Sequence, residues 1–134
     1  MNSWAYPSSG RFPNAWKVGD LLFTSGQVAL GDDGKIVGLG DIEIQTKCAF
    51  ENLRKVLREA GCDTKSLVKL NTYIAFDGPE EAFDAYWSKM SAAREAFLAG
   101  ANPAATAVRV AGFFRVGLLI EVDGIALLPR DNAV

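Results

Sequence analysis

The amino-acid sequence predicts an α+β domain of two layers, a mixed β-sheet with two helices on one face of it. Strand-like segments come before, between and after two segments with helical periodicity. The order is strand, strand, a short candidate strand at Lys35–Val37, helix, strand, helix, strand, strand. Helices that follow strands act as crossovers and pack on the sheet. The 134 residues contain no linker or repeat, so a single domain, residues 1–134, is predicted.

The composition excludes several classes of function. Hydrophobic residues make up 49%, charged residues 22%, and the net charge is −2, which is ordinary for a globular protein and unlike a nucleic-acid binder. The chain has no histidine, so Ser-His-Asp or Cys-His catalysis and His-ligated metal sites are excluded. Its two cysteines form no zinc pattern. We therefore expect a reduced, cytoplasmic protein with no metal or cofactor and no nucleic-acid or membrane partner.

The first thirty residues predict a loop followed by a tight hairpin. Residues 1–13 are rich in Pro, Ser and Gly and are expected to lie on the surface rather than in the sheet. Two β-prone runs, Asn14–Val18 and Leu21–Val28, flank a two-residue turn that begins at Gly19. Gly26 interrupts the second run. A glycine inside a strand marks either a bulge or the close approach of a ligand, and the sequence leaves both interpretations open.

Two amphipathic helices are predicted. The first begins after Asp41, a good N-cap, and ends at Gly61. A strand over Leu67–Phe76 follows, with alternating apolar and polar residues. The second helix is capped near Asp77 and runs to about Ala99. Its expected buried stripe consists of Phe83, Tyr86, Trp87, Met90, Ala93, Phe97 and Leu98.

The stretch Asn102–Leu128 carries the most unusual pattern, because two acids interrupt a nearly continuous apolar run. It predicts a closing β-hairpin whose last strand is buried on both faces, with an oligomer as the natural cover for its outer face. A carboxylate is costly there unless it is paired or has a function. Glu121 is therefore either the residue that carries out the chemistry of this protein or an acid neutralised by Arg109, Arg115 or a neighbouring subunit.

Three motifs resemble those of the Rid family, the RidA/YjgF-type enamine/imine deaminases. They are Leu22–Val28 (LFTSGQV), Asn102–Ala104 (NPA) and Ile120–Asp123 (IEVD). The resemblance extends from about Phe12 to Leu128, nearly the whole chain. It implies a chorismate-mutase-like α+β fold and a homotrimer with small-molecule clefts between subunits.

The resemblance also implies the residues of the site. Glu121 matches the carboxylate that handles the hydrolytic water, the backbone of Ser25 and Gly26 lines the cleft, and Phe12 matches an aromatic residue that covers the substrate. Ser91 matches a polar residue of the second helix. The complete predicted binding set is Phe12, Trp16, Ser25, Gly26, Ser91, Ala105, Thr106 and Ala107.

One position departs from the pattern of the deaminases. They have an arginine two residues after the proline, where its guanidinium binds the substrate carboxylate, and here that position is Ala105. Ala107 likewise replaces a cysteine. Three explanations remain open: the substrate lacks that carboxylate, the cleft is not catalytic, or another arginine reaches in (Arg11, Arg94, Arg109 or Arg115).

The function that the resemblance implies is hydrolysis of a reactive enamine or imine to a carbonyl compound and ammonia. Such compounds already react with water, so positioning and one carboxylate are sufficient, without a cofactor. The alternative is a non-catalytic small-molecule-binding, regulatory or chaperone-like protein. Endoribonuclease activity, known for some family members, is disfavoured by the net negative charge.

Overall fold

A computed structural model describes residues 3–4 and 12–130 of the chain. Its strands are β1 (Ser3–Trp4), β2 (Ala15–Val18), β3 (Leu21–Thr24), β4 (Gln27–Val28), β5 (Leu67–Ala75), β6 (Ala104–Val110) and β7 (Ile120–Leu127). Helix α1 spans Ile42–Glu59 and α2 spans Phe83–Leu98, with short 3₁₀ helices at Thr64–Ser66 and Glu80–Ala82. The sheet order is β1-β2-β3-β7-β5-β6, and β4 also pairs with β7.

Only β5 and β6 pair in parallel, so the sheet is mixed as predicted. Alternate residues of the central strands form one buried cluster with both helices. The cluster includes Leu22, Leu70, Ile120 and Val122 from the sheet, Phe50 and Leu53 from α1, and Met90 and Phe97 from α2. The predicted two-layer α+β fold with both helices on one face is therefore confirmed.

The β2-β3 hairpin and the first helix also form as predicted. Val18 pairs with Leu21 across the turn. The Asp41 carboxylate accepts a hydrogen bond from the Ile44 N–H at 3.0 Å, and Gly61 has a φ of 77° just after the helix. This is the left-handed conformation that ends many helices and that glycine adopts without a steric penalty.

Three expectations about the strands are wrong. Strands β6 and β7 form no hairpin, because β5 lies between them. Strand β6 runs parallel to β5 along one of its edges, and β7 runs antiparallel to it along the other edge. The reason is that α2 carries the chain back along β5, so the next strand must run parallel to it.

The segment at Lys35–Val37 makes only an isolated bridge, Leu30 with Ile36. Within residues 1–13, Ser3–Trp4 pairs with β2; the rest, apart from residues 12–13, lies outside the described residues.

The second helix differs from its prediction at its start. It follows the 3₁₀ helix and has no side-chain cap there, so Asp77 does not cap it. It ends at Leu98, close to the predicted end, and Ala99 and Gly100 then both have a positive φ, of 48° and 89°. Of the predicted stripe only Met90, Ala93 and Phe97 are fully buried. Tyr86, Trp87 and Leu98 are partly buried and pack against the core. Phe83 is also partly buried.

The face of the sheet opposite the helices is open in the single chain. Cross-strand pairing aligns Trp16, Phe23 and Ile125 in one row on this open face, and Trp16 and Phe23 are each 39% exposed. Leu127, further along β7, is 50% exposed. No element of the described chain covers the outer face of the last strand, so its burial there by an oligomer stays a prediction.

Gln45 joins α1 to the segment that leads into β7. The side chain is fully buried. Its amide nitrogen donates to the carbonyls of Gly38 at 3.2 Å and Gly117 at 2.8 Å, and its oxygen accepts from the Leu119 N–H at 2.9 Å. These three bonds fix the loop that positions the last strand.

We expect Gln45→Leu to lower the free energy of unfolding by about 2–4 kcal/mol, because it leaves three buried backbone groups without partners. Urea unfolding followed by circular dichroism measures this change. Lys47→Ala is the matched control on the same helix, since it removes only an exposed ion pair with Glu43, worth about 0.5 kcal/mol. Equal effects of the two substitutions would contradict the role given to Gln45.

Candidate functional site

Four polar side chains meet on the open face, where β5 and β7 lie side by side. Glu121 pairs with Tyr73, and Asp123 pairs with Asn71. Residues two apart on a strand share a face, so all four project to the same side. The Asn71 amide donates to Asp123 Oδ1 at 2.8 Å. Two carboxylates, a phenol and an amide are thereby brought together.

Gly26 lies directly against the Glu121 carboxylate. A Cβ added to Gly26 would overlap Glu121 Oε1 and approach Cδ to 2.8 Å. The chain also contains one extra residue here. Phe23 pairs with Ile125 and Gln27 pairs with Val122, so an advance of four residues on this segment lies opposite an advance of only three on β7. The interpretation of Gly26 as part of a bulge is therefore confirmed, and the bulge brings its backbone against the acid. The close approach of a ligand stays a prediction.

The neighbouring polar residues of this bulge are used within the chain. Ser25 donates its N–H to the Asn14 carbonyl at 2.7 Å and its hydroxyl to the Pro13 carbonyl at 2.6 Å. Thr24 Oγ1 accepts from the Gly124 N–H at 2.9 Å. Ser25 therefore holds the bulge in place, and both of its donors are already occupied.

A cavity of about 320 Å³ opens beside Glu121. Its lining consists of Gly26, Tyr73, Val110, Gly112, Phe113, Glu121 and Asp123. A volume of this order accommodates a small molecule. The lining combines two acids with an aromatic and aliphatic wall and contains no basic side chain of the described residues.

Burial raises the pKa of Glu121 above its ordinary value, and the negative charge of Asp123 raises it further. The pKa of Tyr73 is raised mainly by the charge of Asp123, with smaller contributions from burial, a hydrogen bond to Asp123 and the charge of Glu121. A carboxyl group with a raised pKa can exchange protons closer to neutral pH. Glu121 is therefore suited to proton transfer.

Neither arginine proposed to neutralise Glu121 does so in the chain. Arg109 donates to both oxygens of Glu80, at 2.9 Å each, and lies 4.3 Å from the centre of the Phe83 ring. Arg115 donates to the carbonyl of Gly34 at 2.7 Å. Within residues 12–130 no ion pair involves Glu121. The interpretation of Glu121 as an acid paired with either arginine is wrong.

Most of the other predicted site residues lie away from this cavity. Ala105 and Ala107 pair with Leu70 and Thr72, which are buried on the helix side, so these alanines project toward the face opposite Glu121. Ser91 is on α2, in the helix layer, and accepts a hydrogen bond from Arg94 at 3.4 Å.

The remaining predicted residues are on or near the open face but do not line the cavity. Thr106 accepts a hydrogen bond from Lys69 Nζ at 2.8 Å. Phe12 is 78% exposed, and Trp16 pairs with Phe23. A single chain thus brings only Glu121 and Gly26 of the predicted set together in the cavity. Arg11 lies outside the described residues.

Sequence reasoning missed Tyr73, Asn71 and the wall formed by Val110, Gly112 and Phe113. Alternation along β5 places Asn71 and Tyr73 on one face, which was available as a signal. Their proximity to the two acids depends on β5 pairing with β7, whereas the sequence suggested that β6 pairs with β7. The wrong strand neighbour is therefore the reason for this omission.

The described residues contain neither a cluster suited to a metal ion nor a helix suited to span a membrane. No group of three or more cysteine, aspartate or glutamate side chains in this part of the chain is arranged to hold a metal ion. Neither helix in these ranges combines the length and apolar character that a bilayer span requires.

Comparison with known proteins identifies the family. Residues 4–128 match the family model described as Endoribonuclease L-PSP. RutC family protein YjgH of Escherichia coli is 34% identical over 121 residues, which cover 90% of this chain and 86% of that protein. The mouse 2-iminobutanoate/2-iminopropanoate deaminase is 31% identical over 123 residues, 88% of this chain and 82% of that one.

A solved structure agrees with these matches. The crystal structure of YyfA from Yersinia pestis, a protein of the conserved Rid family, has a TM-score of 0.78 and 27% identity, and the alignment covers 90% of both chains. The fold, the family model and the relatives lead to the same conclusion: the chain belongs to the Endoribonuclease L-PSP family, also known as the YjgF/RidA or Rid family.

Proposed function

We propose that this protein hydrolyses a reactive enamine or imine to a carbonyl compound and ammonia, with Glu121 moving the proton. The observation that carries the proposal is a carboxyl group of raised pKa that faces a small cavity and has no cationic partner in the described chain. The name of the mouse relative, an imine deaminase, supports the reaction class.

The chemistry requires one acid-base group and a held substrate. An enamine first takes a proton from solvent on carbon and becomes an iminium ion, the species that a protonated imine also gives. Glu121 then accepts a proton from water while the water oxygen bonds to the iminium carbon, which leaves a neutral carbinolamine. Glu121 returns this proton to nitrogen, the C–N bond breaks as the hydroxyl proton passes to the leaving ammonia, and the products are a carbonyl compound and an ammonium ion. A positioned acid-base group contributes about 10²–10⁴-fold to such a reaction.

We also propose a homotrimer in which two subunits complete each site. Glu121 and Gly26 are on the open face, whereas Ala105, Ala107 and Ser91 belong to the helix side of the chain, so one chain cannot present all of them to one ligand. The apolar row of Trp16, Phe23 and Ile125 supplies a surface that association would bury. Light scattering coupled to size-exclusion chromatography tests the expected mass of three chains.

The reaction is tested by ammonia release from imines made in situ. An amino-acid or amine oxidase supplies the imine, semicarbazide competes for it, and the protein is added at substoichiometric concentration. Faster ammonia release and less semicarbazone support the proposal. The same rates with and without protein, over a panel of imines, would contradict it.

A second candidate is a protein that binds a small molecule in this cleft without chemistry. The observation in its favour is Ala105, at the position where the resemblance places a carboxylate-binding arginine. Saturable ligand binding without any acceleration of hydrolysis would favour this candidate. An endoribonuclease activity is not supported by the cavity, because its two carboxylates repel phosphate.

The neighbouring acid predicts a specific pH dependence. Glu121 must be ionised to accept a proton from water, so kcat/KM falls as the pH drops through the Glu121 pKa. Removing the Asp123 charge in Asp123→Asn lowers that pKa, because this charge is one of its two causes. We expect the acidic limb of the pH–kcat/KM profile to move to lower pH. If Asp123→Asn lowers kcat/KM but leaves the acidic limb of the pH profile at the same pH, Asp123 has only a structural role.

A further inference from the structure

We propose that the substrate is a cationic iminium compound with no carboxylate next to the reacting carbon, and not an anionic 2-imino acid. This inference rests on the proposed function and narrows its substrate class. It follows from the charges that line the cavity, from the positions of Arg94, Arg109 and Arg115 in the described chain, and from the apolar residues of the lining.

The cavity presents negative charge only. Glu121 and Asp123 line the same space, two residues apart on one strand, and Tyr73, which pairs with Glu121 on the adjacent strand, lines it as well. An anionic substrate would place a third negative charge beside these two acids, in a space where the protein partly excludes water. Like charges brought together in this way are unfavourable, whereas a protonated imine nitrogen is attracted.

Asp123 is held as the fixed negative partner. The Asn71 amide donates to Asp123 Oδ1 at 2.8 Å, and Tyr73, two residues further along β5, lines the same cavity. The amide donor fixes the orientation of the carboxylate. The two acids therefore have different roles. Asp123 attracts the iminium nitrogen, and Glu121 accepts the proton of the attacking water.

The cations that could bind a substrate carboxylate are engaged elsewhere. Arg109 is bound by Glu80, and Arg115 by the carbonyl of Gly34. Arg94 lies 5.6 Å from the centre of the Trp87 ring in the helix layer. Lys69, on the open face, donates to Thr106. Within the described residues of one chain none of the four lines the cavity, and Ala105, on the helix side that the proposed trimer would bring from a second subunit, offers no guanidinium.

The rest of the lining suits an uncharged substituent. Val110, Gly112 and Phe113 supply the uncharged part of the lining, so the group attached to the imine carbon is apolar. The aromatic rings of Phe113 and Tyr73 add surfaces that attract cations. The reaction balances as R–CH=NH₂⁺ plus H₂O giving R–CHO plus NH₄⁺: the water oxygen bonds to carbon, its protons pass to nitrogen, and the C–N bond breaks.

A matched substrate pair tests the inference. Phenylethylamine oxidised by a flavin amine oxidase and phenylalanine oxidised by an amino-acid oxidase give free imines that differ only by the carboxylate. We expect kcat/KM for the carboxylate-free imine to exceed that for the imino acid by at least about tenfold, equal to about 1.4 kcal/mol. Asp123→Asn should reduce this ratio. Glu43→Gln, which changes an exposed acid on α1, is the control and should leave it unchanged.

The outcomes separate the two proposals. A ratio of one, or a preference for the imino acid, overturns the substrate class but leaves the hydrolysis in place. An unchanged ratio in Asp123→Asn also overturns it, because the selectivity would then arise elsewhere. If neither imine is accelerated while the protein remains folded by circular dichroism, both the substrate class and the proposed function fail.

Discussion

Replacing Glu121 by glutamine is expected to lower kcat for imine hydrolysis by about 10²–10⁴-fold, the usual contribution of a positioned acid-base group. The amide keeps the size and shape of the side chain but can neither accept a proton from water nor return one to nitrogen. The measurement is ammonia release under saturating imine, with KM determined separately. A small change in KM beside a large fall in kcat is expected, because the lost interaction belongs to the chemical step.

The same substitution is expected to stabilise the protein at neutral pH. The pKa of Glu121 is raised in the folded chain by burial and by Asp123, so folding disfavours its charged form. This penalty is absent well below the unfolded pKa, where the group is protonated in both states. It grows as the pH rises from the unfolded pKa to the folded pKa and is complete above the folded pKa. Glu121→Gln should therefore melt above wild type at pH 7, with the difference vanishing at low pH.

Glu43→Gln is again the matched control, since it makes the same chemical change on an exposed helix face. It should alter neither kcat nor the pH dependence of the melting temperature by much. Activity retained in Glu121→Gln would exclude Glu121 as the catalytic group. A melting temperature below that of wild type at every pH would contradict the assignment of a desolvated, unpaired carboxylate.

Gly26→Ala is expected to produce the second large effect, a fall in kcat of roughly tenfold to hundredfold, since a misplaced group near the chemistry can cost this much. The added methyl group would occupy the position of Glu121 Oε1, so the carboxylate must move. Gly26 is not among the residues with positive φ, so the backbone conformation itself admits alanine. The free energy of unfolding should fall by about 1–3 kcal/mol, as for other overpacked sites.

A double-mutant cycle decides whether this effect passes through Glu121. If Gly26→Ala acts by displacing the carboxylate, it should cost little further activity in a Glu121→Gln background, because the group it displaces no longer functions. Glu121→Asp, with a shorter side chain, should recover part of the activity lost in Gly26→Ala. Fully additive losses in the cycle would show that Gly26 acts through the substrate or the backbone instead.

The local elements were largely predictable from sequence. Alternation and helical periodicity are nearest-neighbour patterns, and caps such as Asp41 and Gly61 act within one turn. They gave β2, α1 and β5 with boundaries close to those observed, whereas the predicted run Leu21–Val28 is divided into β3 and β4. The same reasoning singled out Glu121, because an acid inside an apolar run is costly regardless of which strand lies beside it.

The amino-acid sequence by itself therefore determined the fold class, the family and the unusual acid. Only the tertiary structure decided that β5 separates β6 from β7, which gives Glu121 the neighbours Tyr73 and Asn71 in place of the expected arginines. It also decided that Ala105 and Glu121 project to opposite faces of the sheet. The physical reason is that pairing partners in a sheet are set by crossovers and by packing across the whole domain, which leave no signature in any single segment of the chain.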